Sequence, residues 1–130
     1  MPITYKIDHE RRLVQAAPCG RLTHEDMVAY QTEVWSQSKL AGYNELIDMS
    51  EVTDIAYVSN DLVRSLADLS ASLDSPEHPS KFAIVASDDL HFGLGRMYNA
   101  FRDMARQSTR QTRVFRTRAE AEEWLQNPLA

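Results

Sequence analysis

The residues Phe82-Ala83-Ile84-Val85-Ala86 form an uninterrupted apolar run. A run this short, with no polar face to offer water, reads as a strand covered on both sides. Two-sided cover requires helices, and those arise most simply as crossovers between parallel strands. That single segment already argues against the competing class, an α+β domain with a wholly antiparallel sheet.

The flanking sequence supplies the other elements. Ile3, Tyr5 and Ile7 alternate with Thr4 and Lys6, the period of a half-buried strand. Leu13 to Ala17 can pair with it antiparallel across the polar turn Asp8-His9-Glu10-Arg11, and Pro18 and Gly20 are expected to stop the hairpin. Thr23 stands at a helix N-cap with Asp26 three residues on, followed by the stripe Met27, Tyr30, Val34 and Trp35. After Gly42 and Asn44, Leu46-Ile47-Asp48-Met49 reads as a buried strand, and Thr53 and Asp54 as a loop. Ser59 opens a second helix, whose Leu62, Leu66, Leu69 and Leu73 share one face.

The segment from Asp74 to Ser80 is rich in breakers and leads into the 82–86 strand. Ser87-Asp88-Asp89 begins a third helix, with Leu90, Leu94, Met97, Tyr98, Phe101, Met104 and Ala105 assigned to its inner face. Arg113-Val114-Phe115-Arg116 is a last strand, and Thr117 with Glu120 caps a closing helix carrying Ala121, Trp124 and Leu125. The order ββαβαβαβα predicts an α/β fold. Its sheet is five-stranded, mixed and mostly parallel, with an N-terminal edge hairpin, four helices and the 82–86 strand near its centre. At 130 residues the chain is expected to form a single domain, 1–130, around one core.

Several function classes lack their usual signatures. No apolar run approaches a membrane span, no leader pattern opens the chain, and the lone Cys19 cannot form an internal disulfide, so a cytoplasmic protein is expected. Cys19 itself is expected to pack at a strand end. Seven arginines (Arg96, Arg102, Arg106, Arg110, Arg113, Arg116 and Arg118) stand against only Asp103 between positions 96 and 118, while the whole chain carries −5. This uneven charge suits self-association or an acidic protein partner. The negative total, and the absence of aromatics interleaved with the arginines, argue against nucleic acid.

Catalytic and cofactor motifs are missing too. There is no nucleophile elbow, phosphate-cradling glycine loop or dinucleotide fingerprint, and no cofactor is expected. Asp88, Asp89 and His91, or His24, Glu25 and Asp26, place carboxylates near an imidazole without a recognised ligand spacing, so no metal is expected. Cys19 has no base in a recognisable arrangement, and an enzyme is not expected.

Two lines meet at one candidate site. Parallel α/β sheets bind ligands beyond the carboxyl ends of their strands, where the loops after 46–49 and 82–86 lead to Ser59 and to Asp88, His91 and Phe92. Helical arithmetic separately turns Phe92, Gly95, Arg96 and Asn99 away from the Leu94, Met97, Tyr98 and Phe101 stripe. The expected ligand- or partner-binding surface is therefore Tyr57, Ser59, His91, Phe92 and Arg96.

Local strings give a further lead: Gly42-Tyr43 before Leu46-Ile47-Asp48, then Ala83-Ile84-Val85 with Asp88, Phe92-Gly93-Leu94 and Arg96-Met97, then Val114-Phe115-Arg116 with Glu120-Ala121 and Trp124-Leu125. In this order, over nearly the whole chain, they resemble the SpoIIAA-like family of small bacterial proteins, related in fold to STAS and CRAL-TRIO domains. The resemblance implies a STAS-like fold and a regulatory, protein-binding role, with a homodimer or another protein as partner. Its CRAL-TRIO side implies the alternative of a carrier or sensor of a small apolar or lipid-like ligand. STAS regulators carry a phosphorylated serine in an aspartate-serine-serine-glycine stretch at the start of their second helix. Only Ser59 could inherit that phosphosite here, since the stretch itself is replaced by Ala56-Tyr57-Val58-Ser59-Asn60-Asp61-Leu62.

Overall fold

A computed structural model describes residues 2–56, 58–105 and 108–128. The elements are β1 (Ile3–Asp8), β2 (Leu13–Leu22), α1 (His24–Trp35), β3 (Asn44–Asp48), β4 (Glu51–Ile55), α2 (Asn60–Ser72), β5 (Ser80–Val85), α3 (Asp89–Met104), β6 (Arg110–Phe115) and α4 (Arg118–Gln126). The predicted α/β class, the edge hairpin and the four helices are all present. The sheet runs β1-β2-β3-β5-β6, antiparallel only between β1 and β2, and β3 pairs parallel with β5.

The strand count is six, not five, because β4 occupies the stretch read as a loop. Two local features make room for it. Pro18 and Gly20 do not end β2: Pro18 is buried opposite Ile3, and the strand continues to Leu22 through a shift in register between Gly20, at φ +69°, and Arg21. After β3, the Asp48 carboxylate accepts from the Ser50 N–H (3.0 Å) and hydroxyl, a tight turn that sets the chain beside the outer half of β2. Leu13–Ala16 of β2 then pair with β3, and Cys19–Leu22 with β4. Cys19 lies exposed on this extension, not packed at a strand end.

All six residues of β5 are buried, as a doubly covered strand requires. Phe82 and Ile84 face α2 and α3, while Ala83 and Val85 face Ala121, Trp124 and Leu125 of α4. Helix α1 covers the β1–β2 side through Tyr30 and Val34. Lys81 is buried on the α4 side; its Nζ donates to the carbonyls of Trp124 (2.8 Å) and Asn127 (2.7 Å), placing a cation at the negative end of α4.

Helix α3 departs from its predicted orientation. Its buried residues are His91, Gly95, Tyr98 and Arg102, one residue around from the expected stripe, and Leu90 and Met104 are each 69% exposed. Gly95 fixes this orientation, because a Cβ there would stand 3.1 Å from Val114 Cγ1 and 3.5 Å from Ile84 Cγ2. The helix therefore lies on the sheet along its glycine face, and the placement of Gly95 on the outward side is corrected.

The arginine-rich segment is largely spent on internal pairs. Arg102 and Arg110 are buried against Asp74 and Glu45, Arg116 pairs with Asp89, and Arg118 with Asp48 and Glu122. Among the described residues no helix is long and apolar enough to cross a membrane.

Candidate functional site

Between the sheet and helices α1, α2 and α3 lies a cavity of about 130 Å³. Ile47, Phe82 and Ile84 form its floor, with Met27, Leu66 and Leu94 brought in from the three helices. Its lining extends to Leu22, Ile55, Val58 and Leu62, so it sits at the carboxyl ends of the parallel strands. It reaches the surface there, since Val58 lines it and is 45% exposed.

Few polar groups enter. The Tyr30 hydroxyl donates to Glu45 Oε2 and the Tyr98 hydroxyl to Ser70 Oγ, both at 2.7 Å, so neither phenol is free to act on a ligand. Burial pushes both phenols up, Tyr98 to about 12. His24, Gln31 and His91 complete the polar lining. Among the described residues, no carboxylate, cysteine, serine, lysine or arginine lines the cavity, and no three His, Cys, Asp or Glu side chains converge as metal ligands would.

His91 is held from below by its helix cap. Asp88 Oδ1 accepts from the His91 backbone N–H at 2.9 Å, and Oδ2 lies 2.7 Å from Nδ1. That backbone N–H keeps the Asp88 carboxyl below the usual carboxylate range. The ring contact is short but poorly aligned, and Nδ1 is buried without a hydrogen-bond partner.

The predicted site residues divide accordingly. His91 lines the cavity, at the predicted end of the sheet. Ser59 is the exposed N-cap of α2, accepting from the Leu62 N–H at 3.2 Å, and Arg96 is exposed; neither lines the cavity. Phe92 is half-buried outside it, with the Arg116 guanidinium 4.1 Å above its ring. Tyr57 lies outside the described residues. The wall residues Met27, Ile47, Leu66 and Ile84 went unassigned because an apolar side chain facing a cavity has the same sequence signature as one facing core.

The amino ends of the strands hold a second buried polar group. Arg110 Nη1 donates to Glu45 Oε1 (3.1 Å), its guanidinium lies 3.7 Å over the Trp35 ring, and Asp74 joins it to Arg102. Burial pushes Glu45 up, against the pull of Arg110. Two cations against two anions make this cluster neutral and self-contained.

The topology and the two-sided helical cover define a SpoIIAA-like fold. The chain superposes on a crystal structure of an uncharacterised DUF3478-family protein with a SpoIIAA-like fold from Shewanella loihica PV-4, with a TM-score of 0.58 and 23% sequence identity over 95% of this chain and 93% of that one. No protein-family model and no curated protein matches the sequence.

Proposed function

We propose that this chain is a non-enzymatic, STAS-like module that carries or senses a small apolar molecule in the cavity beneath α1, α2 and α3. The observation that carries this reading is the apolar lining of a cavity open at the ligand-binding end of the sheet. Apolar cavities of on the order of 150 Å³ admit benzene, so the volume suits a single ring or a short hydrocarbon chain and not a whole lipid. Binding is favoured over catalysis because, among the described residues, no serine, cysteine, lysine or carboxylate lines the walls, and both tyrosine hydroxyls are committed to protein acceptors. The charge argument for a protein partner loses force once Arg102, Arg110, Arg116 and Arg118 are paired within the chain.

Native mass spectrometry after mild purification tests the reading, since a retained ligand appears as added mass. Thermal melts with benzene-sized compounds should show a midpoint that rises with ligand concentration. Val63→Phe, which fills the cavity from α2, should abolish that rise. A chain that carries no added mass and melts at the same temperature with and without such compounds would contradict the proposal.

A further inference from the structure

Two side chains that bring hydrogen-bonding groups into the cavity wall are buried there. Gln31, on α1, is 5% exposed; His91, on α3, is 8% exposed, and its Nδ1, 2.7 Å from Asp88 Oδ2, has no aligned partner. Buried amides and imidazoles are normally satisfied, and leaving them dry is unfavourable. Here they stand in the wall of an otherwise apolar cavity, whose remaining buried polar groups, Tyr30 and Tyr98, are already bonded elsewhere. The two side chains enter from different helices, yet border one space that a single ring would largely fill.

We propose that Gln31 and His91 form the polar end of the cavity and select a neutral ligand bearing a hydroxyl group on a small apolar body. This rests on the cavity being the ligand site. A hydroxyl both donates and accepts, so it can serve the amide of Gln31 and the imidazole of His91 together. A carbonyl only accepts, and would leave the Gln31 oxygen unmet. An anion is disfavoured because, among the described residues, no lysine or arginine lines the cavity, and the Asp88 carboxylate lies 2.7 Å from the His91 ring. A plain hydrocarbon would seal both polar groups away from water with nothing in return.

Phenol and toluene differ only by a hydroxyl in place of a methyl group, and benzoate adds a charge, so titrating the full chain with the three by calorimetry or NMR decides the matter. Phenol should bind about tenfold more tightly than toluene, although toluene is the more readily expelled from water, and benzoate should bind most weakly. Gln31→Leu and His91→Phe should each weaken phenol several-fold without weakening toluene, in variants shown by their melts to be folded. The wild-type comparison stands even if a variant fails to fold. Toluene binding as tightly as phenol overturns hydroxyl selection while leaving the cavity reading intact. Benzoate binding most tightly overturns neutrality. Failure of all three to bind overturns both readings.

Discussion

Arg102 donates from both terminal nitrogens to Asp74, at 3.0 and 3.1 Å, with only 2% and 3% of the two side chains exposed. Asp74 also accepts from the Thr109 N–H at 2.9 Å and lies 3.6 Å from Arg110 Nε. One carboxylate thus joins the end of α2, the end of α3 and the start of β6. Its removal would leave two buried guanidinium groups short of an anion, so Asp74→Ala should lower stability by about 3–5 kcal/mol. Replacing the Asp74–Arg102 pair with Leu and Met should cost less than Asp74→Ala alone, because no unpaired charge then remains at position 102. Urea unfolding of the two variants checks the order.

Tyr98 makes stability fall in alkali. Burial pushes its phenol up from the usual 10.0 to about 12, so the unfolded chain releases this proton first. The stabilisation it represents is fully present below pH 10, declines as the pH rises and is lost by the time pH passes about 12. Tyr98→Phe should be less stable near neutrality, since Ser70 Oγ loses its donor, yet show a shallower decline through that window. Urea midpoints across the range measure the slope; equal slopes in the two proteins would refute the assignment.

Phe92→Ala should lower stability by about 1–2 kcal/mol, less than the 3–5 expected of a fully buried phenylalanine, because the ring is half-buried and partly covered by Arg116. It should leave binding of cavity ligands unchanged. A thermal melt together with a phenol titration of the variant tests both halves.

Glycine-to-alanine changes at positions 42 and 93 should act with opposite sign. Gly93 lies exposed in α3 with open space where a Cβ would go, and alanine there should stabilise the helix by about 0.5–1 kcal/mol. Gly42 has φ +83°, and its Cβ would meet Arg12 Nη2 at 2.9 Å and His78 Cβ at 3.2 Å, so alanine should destabilise by about 1 kcal/mol or more. Paired thermal melts read the two signs directly.

Local chemistry in the sequence was enough to determine the four helices, five of the six strands and their order. Thr23, Ser59, Asp88 and Thr117 all cap helices as their positions imply, and the apolar run at 82–86 coincides with the doubly covered β5. Such features depend on a residue and its near neighbours, which is what a sequence displays. It also pointed, through strand direction, to the end of the sheet where the cavity lies and, through His91, to one residue of the cavity wall.

Only the tertiary structure decided which faces meet. The buried stripe of α3 is His91, Gly95, Tyr98 and Arg102, residues a hydrophobicity pattern ranks below Leu90 and Met104. Glycine wins its place by allowing close approach to Val114, and arginine wins its place through Asp74, which is distant in sequence. Strand β4 was likewise invisible, since it depends on β2 running on past Pro18 and Gly20 to supply a partner. The cavity belongs to the same class: a void is defined by what several elements jointly fail to fill, and no single segment of sequence records it.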